Sequence, residues 1–130
     1  MSGIDWPALK SAALAVQARA YVPYSNYRVG AALLTSGGQI IAGCNVENAT
    51  FGATCCAERN AVFSAVTQGH QAFRAVAVAT NGAEPGAPCG ICRQVLAEFG
   101  SDLEVLCFTP EGAENRYLLS ELLPHAFRLK

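Results

Sequence analysis

Cys56-Ala57-Glu58, followed later by Pro88-Cys89-Gly90-Ile91-Cys92, supplies three thiols and one carboxylate at spacings that could serve a single metal ion. A structural zinc usually closes its shell with four protein ligands, whereas a catalytic zinc keeps three and leaves the fourth position to water. Cys56, Cys89 and Cys92 are therefore the candidate ligands of one Zn2+ per chain. Glu58 lies two residues beyond Cys56, close enough to face the open side of the ion without ligating it. There a carboxylate could take a proton from zinc-bound water and pass it to a substrate. Alone, a first-turn glutamate would read as a partner of the helix dipole; beside Cys56 the acid/base reading is the better one. The C-x-x-C of Cys89 and Cys92 could also be a redox pair, half of a four-cysteine structural site, or coincidence. Its late position and its pairing with a second cysteine motif favour catalytic zinc. Three thiolates on Zn2+ leave the site with a net negative charge, which weakens it as a Lewis acid. Arg59 could draw charge from the sulfurs by hydrogen bonding, or be an ordinary surface arginine.

The elements that must position these groups follow from periodicity. Asp5 before Trp6-Pro7 marks a helix start, and Leu9, Ala13, Val16 and Ala20 recur at helical spacing to about residue 20. Residues 21–26 break it. Residues 28–34 and 39–44 read as strands joined by Ser36-Gly37-Gly38, a hairpin signal. Residues 45–54 form a polar loop. A helix over 56–68 stops at Gly69, a strand occupies 74–80, and a Gly/Pro loop leads to a second helix over 90–99. A buried strand at 103–108, an edge strand at 116–119 and a short helix capped by Ser120 and ended by Pro124 complete the chain. The alternation predicts one α/β domain over residues 1–130, a mixed sheet of about five strands whose later strand–helix–strand units run parallel. Both cysteine motifs then open helices, where free N–H groups and the helix dipole lower thiol pKa values and favour thiolates.

Composition limits the partners. The chain has 130 residues, is 52% hydrophobic and 15% charged, and carries a formal net charge of −1. Its basic residues are scattered, so the clustered footprint of a nucleic-acid binder is missing, as is a basic and aromatic stacking surface. A small, neutral substrate is expected. No apolar run is long enough to span a membrane, and the N-terminus lacks a secretory pattern. Six cysteines in a chain with ample core point to a reduced, cytoplasmic metalloprotein rather than a disulfide scaffold. The high apolar content suggests surface covered by other subunits. Cys55 could compete with Cys56 as ligand, but that would shift Glu58 out of register. Cys44 and Cys107 read as buried strand thiols, and His70 and His125 as solvent-facing residues without a role.

Several further motifs, in order, resemble the small homotetrameric cytidine deaminases of the zinc-dependent nucleoside deaminase family. They are Pro23-Tyr24-Ser25-Asn26-Tyr27 with Val29-Gly30-Ala31-Ala32-Leu33, Gly43-Cys44-Asn45-Val46-Glu47-Asn48, the two cysteine motifs extended through Arg59 and Arg93-Gln94, and Leu122-Leu123-Pro124 with Ala126-Phe127. The resemblance covers nearly the whole chain. It implies a three-layer α/β/α sandwich and hydrolysis of cytidine or 2′-deoxycytidine to the uridine product and ammonia. Zinc-bound hydroxide would attack C4 while Glu58 shuttles protons to N3 and the leaving amine. The Ala57 N–H would meet the pyrimidine O2, and Asn45 and Glu47 would hold the ribose 3′-OH. Tyr27, where the family more often has Phe, would lie near the base. Phe51, where relatives often have Tyr, and Phe127 would reach a neighbouring subunit's pocket in a homotetramer, or simply pack an interface. Two other readings stay open: a deaminase of another cytosine compound, such as a nucleoside antibiotic, and a zinc-stabilised binding module without turnover. The Asn45-Val46-Glu47-Asn48 loop favours the ribonucleoside reading.

Overall fold

The computed structural model describes residues 3–129. The first helix, α1 (Trp6–Gln17), begins where Asp5 Oδ1 accepts the Ala8 N–H at 3.1 Å, with Pro7 in the first turn. It ends three residues earlier than the periodicity predicts. Gln17, not Val16, is buried at its end, with Nε2 donating to the Arg28 carbonyl at 3.0 Å. The hairpin of β1 (Val29–Thr35) and β2 (Ile40–Cys44) follows. Then come α2 (Ala57–Thr67), β3 (Phe73–Thr80), α3 (Gly90–Ala97), β4 (Glu104–Phe108), β5 (Glu114–Leu118) and α4 (Leu119–Leu122). Gly69, at φ +94°, ends α2 in a Schellman turn: its N–H reaches the Val66 carbonyl and that of His70 the Ala65 carbonyl. His70 is thus half-buried at a helix end rather than a free loop residue. Ser120 lies inside α4 and does not cap it; Glu121 Oε1 instead accepts the Leu118 N–H at 2.7 Å.

The five strands form one sheet in the order β2-β1-β3-β4-β5. β1 is antiparallel to both β2 and β3, β3 and β4 are parallel, and β5 closes the edge antiparallel to β4. The mixed sheet of the α/β/α sandwich is therefore as expected, and both faces are covered. Alternation along β3 explains the layers: side chains two residues apart share a face. Ala75, Ala77 and Ala79 meet Leu9 and Ala13 of α1, while Val76 and Val78 face Ala61 and Val62 of α2 and Leu96 of α3.

Small residues let the helices sit close. A Cβ on Gly30 would lie 2.1 Å from the Ala13 carbonyl oxygen, and one on Gly43 would lie 2.4 Å from the Ala61 nitrogen. These neighbours are helix backbone, which cannot rotate away. We expect Gly30→Ala to destabilise the chain by about 3 kcal/mol, the upper end for overpacking. A calorimetric Tm within a degree of the parent would contradict this packing.

Candidate active site

The topology decides where the chemistry gathers. Because β2 and β3 are both antiparallel to β1, their C-terminal ends leave the sheet on the same side. The helices that follow them, α2 and α3, therefore begin side by side there, which is where α/β sheets usually bind ligands. Cys56 is the N-cap of α2 and Cys89 that of α3, with Cys92 in the first turn of α3. The first N–H groups of each helix have no partner within it and point toward this spot.

The three ligand atoms all lie within 4.8 Å of one another, and no other such group of His, Cys, Asp or Glu occurs among the described residues. Sulfurs at tetrahedral positions on zinc, each ~2.3 Å from the metal, stand ~3.8 Å apart. Cys56 Sγ and Cys89 Sγ are separated by 3.8 Å. The donor set thus fits zinc in both chemistry and size. Hydrogen bonding to Cys92 holds the Cys56 thiol well below its ordinary pKa, with help from Arg59. The same bond and burial push Cys92 up, as the group that keeps the proton of the pair. Arg59 Nη2 lies 3.4 Å from Cys56 Sγ, and its buried Nε has no hydrogen-bond partner among the described residues. A guanidinium aimed at sulfurs suits a thiolate cluster. On the far side, Arg93 Nε donates to the Pro88 carbonyl at 2.7 Å and fixes the approach to Cys89.

Glu58 is 5% exposed. Burial pushes its carboxyl up to about 7, moderated by its own backbone N–H and raised further by Cys56. A group near neutrality can both take and return a proton at physiological pH. It lines a cavity of about 170 Å3 together with Tyr27, Asn45, Cys56, Ala57, Thr80 and Cys89. A second cleft, lined by Tyr24, Ser25, Glu47, Phe51 and Thr54, adjoins the first at Thr54.

Residues 7–108 match the family described as the cytidine and deoxycytidylate deaminase zinc-binding region. The chain belongs to that family. A cytidine deaminase of Halalkalibacterium halodurans is 48% identical over 116 residues, 87% of this chain and 88% of the relative. One from Mycobacterium tuberculosis is 41% identical over 99% of this chain and 94% of its own length. The crystal structure of the cytidine deaminase from Burkholderia pseudomallei superposes with a TM-score of 0.91 at 46% identity, covering 95% of this chain and all of that one. This chain is accordingly an enzyme with a zinc-dependent deaminase domain.

In this deaminase fold, most of the residues singled out from sequence converge. Cys55 stands outside the sulfur cluster: its backbone is tied in both directions to Val46, and burial raises its thiol pKa. Cys107 is buried as expected, whereas Cys44 is only half-buried. Asn45 Oδ1 accepts the Val29 N–H at 3.0 Å and Nδ2 donates to the Tyr27 carbonyl at 2.8 Å, so its side chain also fastens the start of β1. Phe51 is 73% exposed and stacks edge-on against Tyr24, with centroids 5.8 Å apart. Phe127 lines neither cavity; it is 69% exposed, and its carbonyl accepts from Gln94 Nε2 at 2.9 Å. Sequence reasoning missed Thr54, Thr80 and Ser25. Thr80 Oγ1 accepts the Gly86 N–H at 3.1 Å and holds the loop before Cys89 against the cavity. A threonine closing an apolar strand carries no signal of that task.

Proposed function

We propose that this enzyme hydrolyses cytidine and 2′-deoxycytidine to uridine and 2′-deoxyuridine with release of ammonia. The carrying observation is Glu58, a buried carboxyl beside three clustered sulfurs at the wall of a base-sized cavity. Cys56, Cys89 and Cys92 would hold the zinc. When bound, zinc supplies Lewis acidity that brings the pKa of water down to about 7. Glu58 takes one proton of the attacking water and delivers it to ring N3, then moves the remaining hydroxyl proton from the C4–OH to the amine as the C4–N bond breaks and ammonia leaves. The N–H of Ala57, in the first turn of α2, donates to the pyrimidine O2. Tyr27 lies along the base. Arg59 lowers the electron density on the sulfurs it touches, which would leave a zinc held by them a stronger Lewis acid.

Asn45 and Glu47 hold the sugar. Asn45 keeps one amide hydrogen and one lone pair beyond its bonds to the backbone. A hydroxyl recognised by paired polar groups is discriminated strongly, because a substrate lacking it leaves them unpaired. Phe51 and Phe127, both exposed and apolar, would cover a neighbouring subunit's pocket in a homotetramer. The further exposed side chains of Phe63 and Ile91 support such an assembly. All six cysteines are unpaired, which supports a reducing, cytoplasmic setting. No described helix is long and apolar enough to cross a membrane.

The test is direct. Purified chain containing one zinc per subunit should convert cytidine with stoichiometric ammonia, followed as loss of near-ultraviolet absorbance. Zinc content without turnover of cytidine or deoxycytidine would leave only a binding module.

A further inference from the structure

We propose that the Ser25 hydroxyl is a positioning group that aims the Glu47 carboxylate into the sugar cleft and links it to the wall of the base pocket. The proposal rests on the reading that Glu47 holds the sugar. Glu47 Oε1 accepts the N–H groups of Tyr24, at 3.0 Å, and Ser25, at 3.1 Å. Two backbone donors occupy both lone pairs of that oxygen. Glu47 Oε2 accepts only from Ser25 Oγ among the described residues, so it alone retains a lone pair for a ligand hydroxyl. The same Ser25 oxygen accepts the Tyr27 N–H at 3.0 Å. A relay therefore runs from the Tyr27 backbone, through one hydroxyl, to the Glu47 oxygen that keeps a lone pair.

The terminal torsion of a glutamate is broad and roughly two-fold. Two donors on Oε1 hold one end of the carboxylate, and the Ser25 hydroxyl sets the swing of the other. Without it, Oε2 is free to turn away from a sugar in the cleft that Tyr24 and Phe51 also line. Tyr27, on the first cavity, would also lose its backbone acceptor. Sugar recognition and the base-pocket wall are then no longer set by one atom. A side chain that merely stabilised the turn would show none of this in substrate selectivity.

The experiment compares the zinc-loaded parent with Ser25→Ala, Ser25→Thr, Glu47→Gln and the double variant Ser25→Ala/Glu47→Gln. Each is assayed on cytidine and 3′-deoxycytidine, with Tm recorded. Ser25→Ala should reduce the preference for cytidine, as the ratio of kcat/KM values, about tenfold, through KM rather than kcat. Ser25→Thr, which keeps the hydroxyl, should restore it. The double variant should be no less selective than Glu47→Gln alone, since both changes act on one contact. If Glu47→Gln loses selectivity but Ser25→Ala keeps it, the positioning role falls and the sugar reading stands. If Glu47→Gln keeps the parent's preference, the sugar reading itself falls. An equal loss on both nucleosides by Ser25→Ala, or no rescue by Ser25→Thr, overturns the proposal as well.

Discussion

Glu58→Gln should retain one zinc per chain yet deaminate cytidine about 10^3 to 10^4 times more slowly, within the usual contribution of a general acid/base. Glutamine has nearly the shape of glutamate, so the wall of the cavity is kept while the titrating oxygen is lost. The site makes the substitution informative. Glu58 is almost wholly buried, and burial has already brought its carboxyl to about 7. A neutral amide there avoids the larger cost of burying a charge, so the fold should survive the substitution with at most a modest loss of stability. The loss should fall on kcat, because the proton transfers belong to the transition state rather than to binding. A variant that binds zinc and turns over at the parental rate would place proton transfer elsewhere.

Cys56→Ala should cost the metal and, with it, all activity above background. Cys56 caps α2 by position only: its side chain makes no capping hydrogen bond, so its removal leaves the helix start intact. Cys92, fully buried, would instead leave a cavity behind, and its substitution would mix packing with ligation. Loss of a direct ligand should weaken zinc binding by more than the roughly 10- to 100-fold typical of outer hydrogen-bonding partners. Elemental analysis after dialysis should find well under one zinc per chain. Chelator-treated parent and Cys56→Ala should then share the same Tm, since metal binding is the term removed in both. Full zinc occupancy in Cys56→Ala would show that another group, Cys55 first among them, closes the shell.

The elements themselves were largely readable, for local reasons. Asp5 and Pro7 announce the start of α1, Gly69 the end of α2, and the Ser36-Gly37-Gly38 turn the hairpin. Alternating valine and alanine in β3 reads as a strand buried on both faces. Boundaries were less legible where tertiary bonds override pattern. α1 stops at Gln17, whose side chain turns to the Arg28 carbonyl, and α4 begins a residue before Ser120 because Glu121 reaches back to the Leu118 N–H. The sequence shows residues 45–54 only as a polar loop, with Asn45 and Glu47 as sugar contacts by family resemblance. In the structure, Asn45 and Glu47 fasten the backbone, a task that no spacing reveals.

By itself, the chain's order of residues determined the donor types and their local placement: a thiol at each of two helix starts, a second thiol one turn on, and an acid beside the first. Such spacing depends only on the helical repeat, so it can be read without a fold. The meeting of Cys56 and Cys89 across 33 positions was decided by tertiary structure, because β1 runs against both neighbours and sends α2 and α3 off from the same end of the sheet. So was the burial that raises Glu58, and the link from Tyr27 through Ser25 to Glu47. Long-range contacts and local dielectric arise only once the layers pack.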